Sequence, residues 1–257
     1  MENPVSPEVR VFPDLESLSR EAAHEVRRVI DDAVAEVGRC AVALAGGGTP
    51  RRLYEILARE HHDAIPWADV HLFWGDERCV PPDHGASNMR MAHEALIDEV
   101  PIPAANVHAV PVQTGSPAEI ASTYEAELRA FFAERKAADP NWPRFDLVLL
   151  GVGGDGHTAS LFPGSPTLGV DDRWVTSTEA PPSYEVQDRV TLTLPVVNHA
   201  RTAFVLTSGR AKRSIVREIL ETPETASLRY PAAQVHPRGR LVWWVDRAAI
   251  GLEGGAA

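Results

Sequence analysis

Short apolar runs alternate with longer amphipathic stretches along almost the whole chain, and this alternation constrains the fold more than any other feature. The runs fall at 9–12, 41–45, 70–74, 145–150, 203–207 and 241–245, and 190–194 alternates threonine with apolar residues. Residues 14–37 carry Leu15, Leu18, Ala22, Val26, Val29, Ile30 and Ala33 at helical spacing. Further helices are expected at 50–59, 87–98, 116–136 and 210–220. Strands alternating with helices predict an α/β fold with a mostly parallel sheet flanked by helices. No repeat or low-complexity linker divides the 257 residues, so 1–257 reads as a single domain. Two stretches depart from the pattern. Residues 164–188, punctuated by prolines, read as an irregular excursion, and the Gly-Ala tail at 251–257 reads as disordered.

The sheet expected is Rossmann-like and open, and in such sheets ligands bind outside the carboxyl ends of the strands. Four of those ends carry unusual residues, at 46–49, 75–78, 151–158 and 208–212. The most unusual is the turn after 145–150, where Gly151, Gly153, Gly154 and Gly156 surround Asp155 and His157. Gly151-x-Gly153-x-x-Gly156 formally matches a dinucleotide fingerprint. That reading fails because Pro163 and Pro166 stop any long helix, and Asp155 would repel a pyrophosphate. A metal site needs several ligands at workable spacing. His61, His62, His84, His93, His108, His199 and His236 form no such pattern, and Asp155 with His157 cannot close a site alone. What remains is a metal-free catalytic turn. Its glycines bring the backbone close to a substrate, His157 acts as general base, and Asp155 orients the ring. The plainer alternative is that Asp155 caps a short helix and His157 packs.

The other three ends suit an anion. Gly46, Gly47, Gly48 and Thr49 offer backbone N–H groups, a hydroxyl and a helix N-terminus, with Thr49 as N-cap and Pro50 as first helical residue. The loop lacks the Gly-Lys-Ser/Thr ending of a nucleotide loop, which favours a small phosphoester over ATP. Composition alone is equally compatible with a tight turn before a capped helix. Of 25 basic residues only Lys136 and Lys212 are lysines, so Lys212 stands out as a compact point charge at a strand end. An ordinary solvated lysine is its alternative. Arg78 and Arg189 suit an anion or a developing oxyanion, or are solvated.

A net charge of −11 argues against nucleic acid as partner. It leaves room for a small anion, because salt screens the overall field beyond about 8–10 Å. The apolar runs are too short to span a bilayer and the N-terminus shows no secretory signal. With Cys40 and Cys79 the only cysteines, no disulfide framework is implied, and both thiols fit a reducing cytoplasm.

Taken in order, GGGTP at 46–50, WGDERCVP at 74–81, SNMR at 87–90, GVGGDGHTASLFPGSP at 151–166, RVTLTLPVVN at 189–198 and TSGRAK at 207–212 resemble the 6-phosphogluconolactonase family. The resemblance runs from about Val9 to Val245. It implies a fold similar to the amino-sugar-phosphate deaminases and isomerases. The activity it implies is hydrolysis of 6-phospho-D-glucono-1,5-lactone, in the oxidative pentose phosphate pathway, with no metal and no organic cofactor. On this resemblance His157 activates water, Asp155 orients or polarises the site, and Arg78 and Lys212 hold substrate charge. The loop from Gly46 through Gly47 and Gly48 to Thr49, with Arg189, completes the phosphate pocket. Nothing demands more than a monomer, and the expected partner is a small sugar-phosphate lactone, not a membrane or nucleic acid.

Two other functions compete. Glucosamine-6-phosphate deaminases carry a glutamate a few residues after the Asp-Gly-His turn. Here Thr158 to Phe162 contains no acid, and the next is Asp171. A non-catalytic sugar-phosphate sensor would keep the anion cradle and lose the base, whereas Asp155 and His157 are both present. No Gly-x-Ser-x-Gly nucleophile elbow occurs, which fits water attack without a covalent intermediate.

Overall fold

The computed structural model describes residues 7–133 and 141–252. The chain begins with β1 (Glu8–Phe12), α1 (Leu15–Val37), β2 (Cys40–Leu44), α2 (Gly48–Glu60) and β3 (Val70–Trp74). It continues through β4 (Asp76–Arg78), α3 (Asn88–Ala95), β5 (Val107–His108), α4 (Pro117–Ala133) and β6 (Leu147–Gly151). The C-terminal half holds β7 (Val175–Glu179), β8 (Asp188–Leu192), α5 (Leu194–Asn198) and β9 (Thr202–Thr207). It closes with α6 (Arg213–Glu221), α7 (Pro223–Ser227), β10 (Arg240–Asp246) and α8 (Arg247–Ile250).

Seven strands form one sheet in the order β1-β10-β9-β6-β2-β3-β5, every neighbouring pair parallel. The strands β2, β6 and β9 are buried almost throughout, because helices cover both faces of the sheet. α1 shows how such a helix is specified. Asp14 caps it by accepting from Ser17 N at 2.8 Å, and Leu18, Ala22, Val26, Ile30 and Ala33 are buried along one stripe. Gly38, at φ 78°, ends it in the left-handed conformation. Trp74, Trp243, Trp244, Phe73, Phe145 and Phe204 fill the centre of the core. Tyr54 and Tyr124 are also buried, and their hydroxyls bond the backbone of Ala45 and Trp74, where β2 and β3 end. Polar groups freed at the strand ends are thus satisfied inside the core.

The order of the strands positions the site. From β2 the chain winds one way to β3 and β5, then returns to β6 on the other side of β2 and winds away through β9 and β10. The reversal lies between β2 and β6, where open α/β sheets bind ligands. All four strand ends singled out above belong to adjacent strands, β9, β6, β2 and β3, and so share one edge of the sheet.

Some expectations change. The excursion at 164–188 is only partly irregular: β7 lies within it and pairs antiparallel with β8, which pairs antiparallel with β4. The DER segment is therefore a strand of a second, three-stranded sheet, entered directly from β3 through Gly75. Thr49 does not cap α2. Gly47, at φ 98°, turns the chain one residue before Gly48, and the helix starts with no side-chain cap. Residues 210–212 form a separate 3-10 turn before α6. The end of the helix expected at 116–136, Lys136 with it, and most of the Gly-Ala tail lie outside the described residues. Among the described residues no helix is long and apolar enough to cross a membrane.

Candidate active site

A cleft of about 310 Å³ opens at the reversal point. Its floor is the ends of β2 and β6, and its walls include Gly46, Gly47, Asp76, Arg78, Asn88, His157, Tyr184 and Lys212.

The turn after β6 is closed by backbone bonds from Gly153 N to His157 O at 2.8 Å and from Gly156 N to Gly153 O at 3.2 Å. Thr158 Oγ1 ties it back by donating to the Gly151 carbonyl at 2.9 Å. Two of its glycines are required by space. A Cβ on Gly153 would lie 2.0 Å from His157 Nδ1, and one on Gly156, at φ 84°, would lie 2.3 Å from the Tyr230 ring. Gly153 thus lets the imidazole pack close against the backbone, and Gly156 leaves room for the Tyr230 ring. His157 Nδ1 is 2.5 Å from Asp155 Oδ1, and His157 N also donates to that oxygen at 3.1 Å. Burial alone would raise the Asp155 carboxyl, but the hydrogen bond and charge of His157 hold it down to about 2. In the neutral imidazole, an Asp155 carboxylate that accepts from Nδ1–H leaves the other ring nitrogen with its lone pair free. Phe162 packs against the ring at 4.8 Å between centroids.

Arg78 and Arg189 stand directly opposite each other across β4 and β8, an arrangement of like charges that costs stability. Arg78 Nη1 donates to the Ala86 carbonyl at 2.6 Å, while its Nε is buried without a hydrogen-bond partner among the described residues. Arg189 is 5% exposed, and both its Nε and Nη2 donate to the Val186 carbonyl. Burial and the neighbouring Arg78 charge lower its pKa. Lys212 follows Gly209, at φ 94°, in a turn that Asp246 anchors. The Asp246 carboxylate accepts from Ser208 Oγ at 2.5 Å and from Gly209 N at 3.0 Å. Burial lowers the Lys212 pKa, with the Asp155 charge opposing. Among the described residues, Arg78, Arg189 and Lys212 have no carboxylate within ion-pair distance, whereas Arg20, Arg52, Arg201 and Arg240 do. In a chain of net charge −11, these cations are held near the cleft outside direct ion pairs, with the carboxylates of Asp155, Asp76 and Glu77 acting on them only from a distance.

Gly46 and Gly47 line the cleft; Gly48 and Thr49 belong to the first turn of α2 beside it, and Arg189 lies behind the Tyr184 ring. Because α2 has no side-chain cap, its first N–H groups stay available to an anion. Gly46 is pressed against Asn88, where a Cβ would meet Oδ1 at 2.0 Å. Asn88 is fixed in turn by donating to the Asp76 carbonyl at 2.9 Å. Glu77, 2% exposed, underpins this wall. Its carboxylate accepts from Arg78 N, Ser87 Oγ, Asn88 N and Met89 N at 2.7–3.2 Å.

Three cleft residues were not singled out from sequence. Asp76 accepts from Ser160 Oγ at 2.6 Å, and its place in the DER run was the available signal. Asn88 sits in the SNMR motif. Tyr184 is carried in by the loop between β7 and β8, and the residues around it give no local signal of its destination. Burial, and then the neighbouring Asp188 and Glu77 charges, push the Cys79 thiol up to about 11. It is therefore protonated at neutral pH and a poor nucleophile. Among the described residues no three His, Cys, Asp or Glu side chains gather as metal ligands would.

Similar proteins are numerous. The family model for glucosamine-6-phosphate isomerases and 6-phosphogluconolactonases matches residues 13–244. A 6-phosphogluconolactonase from Synechocystis sp. is 43% identical, with 95% of this chain and 98% of that protein covered. One from Nostoc sp. is 40% identical, with 94% and 96% covered. The solved 6-phosphogluconolactonase from Trypanosoma cruzi superposes with a TM-score of 0.84 at 29% identity, covering 99% of both chains. A monomeric glucosamine-6-phosphate deaminase shares the fold at a TM-score of 0.78 but only 18% identity, covering 96% of this chain and 100% of its own.

Proposed function

This chain belongs to the glucosamine-6-phosphate isomerase/6-phosphogluconolactonase family, and on that premise we propose that it hydrolyses 6-phospho-D-glucono-1,5-lactone to 6-phospho-D-gluconate. The observation that carries the reading is a hydrogen-bonded His157–Asp155 pair in the same cleft as Arg78 and Lys212, two cations without carboxylate partners. A base beside an anion cradle is what water attack on a phosphorylated lactone requires.

In the proposed reaction the free ring nitrogen of His157 takes a proton from water as its oxygen adds to the lactone carbonyl. Asp155 holds the Nδ1–H and balances the imidazolium that forms. The carbonyl oxygen becomes an oxyanion, and its charge and that of the phosphate are shared between Arg78, Lys212 and the N–H groups around Gly46, Gly47, Gly48 and Thr49. Arg189 adds its charge from behind Tyr184. Collapse of the tetrahedral intermediate breaks the ring C–O bond, and the imidazolium returns the proton to the leaving oxygen. Atoms balance with one water consumed, and the step uses neither metal nor organic cofactor. The chain acts in the cytoplasm, as a monomer, in the oxidative pentose phosphate pathway.

The test is hydrolysis of freshly generated lactone, against a no-enzyme blank, by protein dialysed with and without a chelator. Acceleration over the blank, equal in both samples, is expected. No acceleration, together with ammonia release from glucosamine 6-phosphate, would overturn the reading in favour of deaminase chemistry. Silence in both assays would leave a sensor.

A further inference from the structure

We propose that Tyr184 is a positioning residue for this reaction: its hydroxyl bridges the Asp155 carboxylate and the Nδ1 edge of His157 and so fixes the ring's orientation and tautomer. The inference rests on the lactonase reading for its kinetic consequences, and on geometry for the bridge itself. Tyr184 Oη lies 3.1 Å from His157 Nδ1 and 3.4 Å from Asp155 Oδ2. The phenol can donate to Oδ2 while its oxygen accepts a share of the Nδ1–H, which Asp155 Oδ1 already receives. Asp155 thus meets the imidazole through one oxygen and the phenol through the other, and the three groups form a closed ring of hydrogen bonds.

The scaffold around the phenol is built to hold it there. The Tyr184 ring stands edge-on to His157 at 5.6 Å and packs on Phe162 at 5.5 Å. Its loop is closed by Ala180 N donating to the Gln187 carbonyl at 2.8 Å and Tyr184 N to the Pro181 carbonyl at 2.9 Å. Arg189 completes the clasp, since its guanidinium grips the Val186 carbonyl through two N–H groups and lies 5.9 Å from the Tyr184 ring centre. Burial, and then the Asp155 charge, raise the Tyr184 pKa, so the phenol keeps the proton it must donate. Without the hydroxyl, the outer face of the Nδ1–H bond and more of the already partly exposed Asp155 carboxylate are open to solvent. Water can then compete for both, and the ring can rotate or exchange tautomers.

Tyr184→Phe is the decisive variant, because it keeps the ring that packs on His157, Phe162 and Arg189 and removes only the bridging oxygen. The expected result on the lactone is a fall in kcat of about tenfold, the loss attending a missing hydrogen bond to a charged group. KM should stay within about twofold and the melting temperature should be unchanged. In the Asp155→Asn background the same substitution should have a smaller effect, because the carboxylate half of the bridge is gone while the contact to Nδ1 stays. Imidazole 15N shifts supply a readout independent of turnover: the wild type should show His157 protonated at Nδ1, and Tyr184→Phe a mixture of tautomers. Wild-type kcat in Tyr184→Phe, an undiminished effect in the Asp155→Asn background, or an unaltered 15N pattern would each overturn the proposal. A wild-type enzyme that does not touch the lactone would instead overturn the lactonase reading, while the 15N pattern would still decide whether Tyr184 holds the ring.

Discussion

Placing a methyl group on Gly153 should disable the site while leaving the fold intact. The added Cβ would lie 2.0 Å from His157 Nδ1, 2.1 Å from Cε1 and 2.7 Å from Asp155 Oδ1. An ordinary contact of this kind is about 3.5 Å, so the imidazole must retreat by about 1.5 Å. Gly153 is not among the positive-φ glycines, so alanine suits the backbone there and the whole strain falls on two side chains. The retreat breaks the 2.5 Å bond to Asp155 and carries the base away from the reacting carbon. A misplacement of about 1 Å costs about 10²-fold in rate, so kcat/KM for the lactone should fall by about 10²-fold or more. Crowding of this sort costs about 1–3 kcal/mol of stability, small beside the roughly 5–15 kcal/mol of a folded domain. A thermal melt run beside the hydrolysis assay separates the two effects. If Gly153→Ala melts normally and retains activity within about threefold of wild type, the imidazole does not do its work where the turn holds it, and the reasoning is wrong.

Lys212→Met should raise KM by about tenfold or more while the melting temperature holds or rises. Burial lowers the Lys212 pKa in the folded chain, so its charge serves a ligand and not the fold. Glu77→Ala should cost about 3 kcal/mol in a denaturant titration, because it strands four donors on a buried wall. Asp155→Asn should narrow its stability gap to wild type in acid. The Asp155 carboxyl is depressed from 3.8 to about 2, so it adds stability above pH 3.8 and loses it as the pH falls toward 2. Its side chain is 34% exposed, and solvent screening reduces that increment to about 1 kcal/mol. Denaturation midpoints of both proteins at pH 6 and pH 3 would reveal it.

Much of the site was legible because parallel strands share a direction. Once the apolar runs at 41–45, 70–74, 145–150 and 203–207 are strands of one sheet, their carboxyl ends must lie along one edge, and the unusual residues there must be neighbours. Lys212 was legible for a different reason: a chain that uses arginine almost everywhere keeps lysine at that strand end. Tyr184 was not legible. It reaches the cleft through antiparallel pairing of β7 with β8, and VTSTE, the sequence of β7, has little of the apolar alternation that marks a half-buried strand. The role of Arg189 was hidden in the same way, since its donors point at a carbonyl three residues back. The helix start at Gly48 escaped a reading based on side-chain caps, because a glycine at φ 98° can turn the chain without one.

The central claim is that the imidazole on the β6 turn is the base that activates water. The measurement that tests it most directly is lactone hydrolysis at near-neutral pH by wild type and His157→Ala, each corrected for spontaneous hydrolysis. The account predicts clear acceleration by wild type and a fall of about 10²-fold or more in the variant, the loss expected of a general base, with the fold intact. Undiminished hydrolysis by His157→Ala would contradict it.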